Sequence, residues 1–139
     1  MINKFLFYFL SFTWGLPMTL IGLVVGGFLL LMGKRPDKWG SCWHFTLGKY
    51  WGGISLGLIF ITDDQPIDSI KNHEHGHAIQ NCYFGPFTPF MINIPSAIRC
   101  WYRRFKDRIG RPCKTGYYDI WFEKDASLLG ELYINKWII

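Results

Sequence analysis

The sequence predicts an α+β fold in two parts: an apolar N-terminal helix over residues 1–36, then a small mixed domain over residues 37–139. Three observations predict it. Residues 5–33 run for 29 positions without a charge. Two runs rich in aromatic and β-branched residues, 42–47 and 54–62, read as strands. Two later stretches, about 66–82 and 121–139, read as helices.

The first element is longer than the roughly 20 residues that a membrane-spanning helix needs. Lys4 precedes it, and Lys34, Arg35 and Lys38 follow. Pro17 and the glycines at 15, 22, 26 and 27 interrupt it. In lipid these act as a kink or a packing face, so two tilted halves, 5–14 and 18–32, fit equally. No small-x-small cleavage site follows, which argues against a signal peptide. The composition agrees: 50% hydrophobic, 19% aromatic, yet 18% charged, as suits a chain partly in lipid. Positive charge is denser after the segment than before it. That puts the rest of the chain, and any site on it, on the cytoplasmic side of a bacterial-type inner membrane.

The net charge is +5, and residues 99–114 hold seven Lys or Arg against Asp107 alone. Beside an apolar segment, this stretch is expected to meet anionic lipid. Trp101, Tyr102 and Phe105 interleave with its cations as in nucleic-acid stacking surfaces, but the apolar segment argues against a nucleic-acid partner. The four cysteines, Cys42, Cys82, Cys100 and Cys113, lack the spacing of a zinc knuckle or redox motif and read as free thiols, mostly buried.

Between the two strand runs, the glycine-rich stretch 48–53 suits a hairpin. Asp63-Asp64-Gln65-Pro66 is a helix start, with proline at the first helical position. Phe84-Gly85-Pro86 is the stop. Residues 83–98 are uncharged but broken by Pro86, Pro89 and Pro95, and predict a hydrophobic loop at a membrane interface.

The chemistry lies in His73-Glu74-His75-Gly76-His77. Residues four apart on a helix share a face, so His73 and His77 can aim imidazoles at one point. Zinc accepts such a pair through neutral nitrogen. Glu74, one position on, points beside the metal. It is placed to take a proton from a zinc-bound water whose pKa falls toward ~7, and to pass it to a leaving amine. Glycine inside a helix costs about 1 kcal/mol, so Gly76 calls for a packing reason. His75 lies about 200° round the helix from each ligand and is read as a non-ligand facing away. A third protein ligand is needed, and Asp119, Glu123, Asp125 and Glu131 are available, with His44 a poor fifth. Glu123 stands out: it begins a helix whose Ala126 and Gly130 would allow tight packing on the first.

His73 to His77, with Gln80 after it, resembles the active-site helix of zincin metallopeptidases. More narrowly, the chain is similar to small bacterial membrane proteins with an HEYGH-like motif followed by Gln, a Gly-Pro turn, an Ile-Pro-Ser segment and a late Trp-x-Glu-x-x-Ala motif. Here these are Gly85-Pro86, Ile94-Pro95-Ser96 and Trp121 to Ala126. The resemblance implies a minimal zincin-like domain, Glu123 as third zinc ligand and hydrolysis with Glu74 as general base. A peptide or protein substrate rests on the resemblance alone. Two departures are His75 in place of Tyr, and Ser127 where an acidic residue would stand four positions after Glu123. A carboxylate supporting a zinc-binding imidazole must then come from Asp119 or Asp125. Residues 54–61 would hold an extended peptide as an edge strand, and Tyr117, Tyr118 or Tyr83 would assist an oxyanion. The competing expectation is a non-catalytic integral membrane protein whose metal site is structural or vestigial, and which binds lipid or a protein partner.

Overall fold

The computed structural model describes residues 2–65 and 67–137. It is α+β. Helices α1 (Lys4–Phe12) and α2 (Leu16–Leu31) come first, then strands β1 (Asp37–Trp39), β2 (Cys42–Thr46), β3 (Gly53–Leu56) and β4 (Ile59–Thr62). Helix α3 (Asp68–Phe84), helix α4 (Ile94–Arg108) and helix α5 (Trp121–Trp137) follow. The start signal at Pro66 falls outside the described residues, as do the last two positions of the expected final helix.

The uncharged segment is two helices meeting at 87°. Pro17 cannot donate to the turn behind it, so the first helix ends and the proline opens the first turn of the second. Asn81 donates to the Gly15 carbonyl at 3.1 Å and the Trp14 indole to the Tyr83 carbonyl at 3.3 Å, which fixes the corner on the end of α3. At 1.5 Å per residue, the 16 residues of α2 reach about 24 Å, short of the ~30 Å hydrocarbon core. No single helix among the described residues is long and apolar enough to cross a membrane; the bent pair passes that test only together.

The sheet order is β1-β2-β4-β3, with β2 and β4 parallel and the outer pairs antiparallel. The expected hairpin between 42–47 and 54–62 does not form. The second run folds on itself instead, because Gly57, at φ +71°, turns the chain back so that β4 inserts between β2 and β3. That glycine also lies against the Thr19 backbone of α2, where a Cβ would meet it at 2.8 Å. All four residues of β4 are buried, as a strand covered on both faces should be. Phe60 joins Ile79, Cys82 and Phe7 in a core beneath α3 and α1. Ile59 and Ile61 join Leu29 and Phe45 in a second core beneath α2. Residues 1–36 thus contribute to both cores.

The expected loop over 83–98 is helical. Pro86, Pro89 and Pro95 each stand in the first turn of a fresh segment: a 3₁₀ turn at Gly85–Phe87, a π turn at Pro89–Asn93, and α4. In a first turn a proline lacks only an N–H that has no helical acceptor, so three breakers become three starts. Cys42 and Cys82 are free and buried; Cys100 and Cys113 are free and half-buried.

Candidate metal centre

Helix α3 is polar in composition yet buried along most of its length, from His73 to Cys82. Backbone contact with α5 makes this possible. A Cβ at Gly76 would stand 1.8 Å from the Ala126 carbonyl oxygen, and one at Gly130 would stand 1.8 Å from the Asn72 carbonyl oxygen. The two glycines therefore let the helices touch without an intervening side chain. That is the reason for Gly76 that its helix cost called for.

This approach brings Glu123 of α5 onto the two histidines of α3. His73 Nε2 lies 2.9 Å from Glu123 Oε2, His77 Nε2 lies 3.3 Å from the same oxygen, and the two nitrogens are 3.1 Å apart. A triangle of that size has a point about 2.0–2.1 Å from every corner, the distance zinc keeps from imidazole nitrogen and carboxylate oxygen.

The surrounding hydrogen bonds decide which imidazole nitrogens carry protons. Gln80 donates through Nε2 to the Phe122 carbonyl at 2.8 Å and to Asp125 Oδ2 at 2.9 Å. Its Oε1 must therefore face His77 Nδ1, 2.8 Å away, and that nitrogen donates. Ser127 donates to the Glu123 carbonyl at 3.2 Å and so accepts from His73 Nδ1 at 2.8 Å. Both Nδ1 atoms hold protons, which leaves both Nε2 lone pairs aimed into the triangle with an anionic oxygen. Three lone pairs at such separations repel unless a cation sits among them, a metal ion or an acquired proton.

The electrostatics say the same. With the acquired proton in that place, burial would push the Glu123 carboxyl up, but its contacts with His73 and His77 and the charge of His77 hold it far below the usual carboxylate range. Burial opposes a charge on His77, yet the Glu123 hydrogen bond and the Glu74 and Glu123 carboxylates outweigh it and raise its pKa. The second Glu123 oxygen is occupied: Ser96 donates to Oε1 at 2.5 Å, and Tyr117 reaches it at 3.4 Å.

Glu74 points beside the cluster. It lies against Gly53 of β3, where a Cβ would meet Oε1 at 2.6 Å, and it faces a cavity of about 440 Å³. Burial raises its pKa, with His77 and His73 opposing. The cavity also takes in His73, His77, Glu123, Tyr117 and Tyr118, and opens between β3 and α4.

Comparison of the chain with protein-family models, with curated proteins and with solved structures finds no match.

Among the described residues, His73, His77 and Glu123 form the group of three that could hold a metal ion. His75 turns to the other side of α3, where its ring stacks on Phe7 and Nε2 sits 3.4 Å from the Ser41 amide. His44 is in the sheet, bonded to Thr62 at 2.7 Å. Asp119 accepts from the Gly116 amide, and Glu131 is exposed. Asp125 does support a histidine, but through Gln80. Tyr117 and Tyr118 line the cavity, and the Tyr118 ring lies 4.8 Å from His73. Tyr83 instead pairs with Tyr133. Of the run 54–61, only the β3 half borders the cavity.

Sequence reasoning gave no role to Gln80, Ser96 or Ser127. The first two stand in the motifs that carry the resemblance, and that was the available signal. Gln80→Leu tests the orienting chain. It removes the acceptor on His77 and strands the Asp125 carboxylate, so zinc affinity should fall about 10–100-fold with the fold retained. Competition with a zinc chelator would measure it, and wild-type affinity would refute the role.

Proposed function

We propose that the protein is a membrane-associated zinc-dependent hydrolase, a metallopeptidase in reaction class, with His73, His77 and Glu123 as ligands and Glu74 as general base. The observation that carries this reading is the convergence of two imidazole lone pairs and one carboxylate oxygen beside a buried carboxylate at an open cavity. A bound zinc ion supplies a Lewis acid and makes water a competent nucleophile near neutral pH.

The chain's own residues do the rest. Glu74, its basicity raised by burial, accepts the proton of the attacking water and returns it to the leaving amine. Ser96 and Tyr117 hold Glu123 by one oxygen and leave the other to the ligand triangle. Tyr118 packs on the His73 ring and lines the cavity, and in this reading it assists a developing oxyanion. β3 is an edge strand bordering the cavity, and its free side suits an extended substrate. One edge carbonyl, Ser55, is already taken by Asn93 at 3.2 Å.

Membrane association is supported by the surface of the first two helices: Phe5, Val24, Phe28 and Leu31 are 64–88% exposed. Apolar exposure of that extent marks a lipid or partner contact. The basic excess that follows supports a cytoplasmic side, at a bacterial-type inner membrane, for the metal site.

Glu74→Gln is the test. The variant should retain about one zinc per chain by elemental analysis, while hydrolysis of a quenched-fluorescent peptide library falls roughly 10²–10⁴-fold. Undiminished turnover removes Glu74 from the mechanism. The second reading, a non-catalytic membrane protein with a structural or vestigial site, draws on the hydrogen-bonded Glu123–His pairs, which can hold α3 to α5 by themselves. Wild-type protein purified without zinc and of undiminished stability would favour it.

A further inference from the structure

Helix α4 has no buried residue, although it forms one wall of the cavity. It is tied to the body by few contacts. Ser96 bonds Tyr117 and Glu123, Arg99 donates to the Gly116 and Tyr117 carbonyls, and Arg104 donates to the Trp51 carbonyl. Ser96, Ala97, Cys100 and Arg104 face the cavity.

The outer side carries an apolar stripe, whose Trp101 also borders the cavity. Ile94, Ile98, Trp101, Tyr102, Phe105 and Ile109 recur at helical spacing and are 48–69% exposed. Phe87 and Phe90, 56% and 70% exposed, extend the stripe backwards, and the ring of Phe87 lies 6.3 Å from that of Trp14 at the α1–α2 corner. Lys106, half-buried, flanks the stripe on one side and the exposed Arg108 on the other, and the exposed Arg111 and Lys114 follow the helix. An apolar face bordered by cations is the pattern of a helix lying in the plane of a bilayer surface, with aromatic rings among acyl chains and cations at headgroup level.

From this we infer that the outer face of α4 docks on an anionic bilayer surface, so that the helix roofs the metal centre from within the headgroup layer. This rests on the membrane-associated reading above and adds which surface meets the lipid and what charge the lipid carries. A second copy of the chain fits the face less well, because the flanking cations would oppose one another. A nucleic acid fits it less well too, because the isoleucines and Phe90 gain nothing from phosphate. The consequence is spatial: the cavity, walled by α4 and β3, opens at the lipid–water boundary, where membrane-proximal chains are at high local concentration.

The test uses the purified full chain with vesicles of neutral phosphatidylcholine, or of phosphatidylcholine with phosphatidylglycerol, each with or without brominated acyl chains. The Trp101 signal is the difference between wild type and Trp101→Phe. In anionic vesicles Trp101 emission should shift to the blue and be quenched by bromolipid. Arg108→Gln with Arg111→Gln, both exposed, should lose most of that quenching, as should high salt. Flotation with vesicles of either charge, but with Trp101 unquenched in both, overturns the inference and leaves membrane association standing. Failure to float with any vesicle removes both. Trp101 shielded by dimer formation, or by a single-stranded oligonucleotide without bromolipid quenching, also overturns it.

Discussion

Glu123→Ala should empty the metal centre while leaving the fold in place. Wild-type protein is expected to carry about one zinc per chain, and the variant close to none. Two imidazoles alone on one helix make a poor site, because zinc takes three protein ligands in open sites of this kind. The loss of affinity should exceed the about 10–100-fold that removal of an outer partner costs. Ser96 and Tyr117, which lose their carboxylate partner, still bond each other at 2.9 Å, so the vacated pocket keeps part of its hydrogen bonding. Zinc at 100 times its dissociation constant should stabilise wild-type protein by about 2.7 kcal/mol, and the variant hardly at all. Elemental analysis and a thermal melt with added zinc read the two effects separately. Full zinc occupancy in Glu123→Ala would rule out the three-ligand site.

Gly76→Ala should be strongly damaging for a single added methyl. Its Cβ would stand 1.8 Å from the Ala126 carbonyl oxygen, a distance no pair of heavy atoms tolerates. Both partners are helix backbone, so the helices must part. Alanine gains about 1 kcal/mol of helix propensity over glycine, against which overpacking costs ~1–3 kcal/mol and sometimes more. The sign is set by what surrounds the contact: the neighbours are main chain and cannot rotate away. A second effect follows, because His73 and His77 ride on α3 and Glu123 on α5. Parting the helices pulls the carboxylate from the imidazoles, so zinc affinity should fall with the thermal midpoint. A Gly76→Ala protein with unchanged midpoint and zinc content would mean that the helices do not meet at this glycine.

The His73, His77 and Glu123 cluster was largely legible in the sequence because its elements are local. The i, i+4 histidines, the neighbouring glutamate and the two glycines each follow from helical geometry. Glu123 was reachable by its place at a helix start with small residues behind it. The partners of the two histidines and of Glu123 were not, since Gln80, Ser96 and Ser127 acquire roles only when three segments meet. The strand order was hidden for a different reason. Residues 54–62 are almost uniformly apolar, so no alternation marks where the chain reverses, and Gly57 turns it only in concert with α2. In 83–98 the prolines were read as breaks, whereas each stands where a helix tolerates it. The corner in residues 1–36 had Pro17 as its signal, but its angle depends on Asn81 and on Tyr83, far along the chain.

The paired glycines of α3 and α5 also act as a mechanical stop. Main chain rests on main chain at both ends of the crossing, so the gap between the helices is already as small as matter allows there. The spacing of the three ligand atoms is then indexed to the backbone and insulated from the side chains packed around it. Cores beneath the sheet can be refilled, and the cavity wall opposite can be reshaped, without disturbing the cluster. A scaffold of this kind separates the part of the molecule that must stay fixed from the parts that are free to vary.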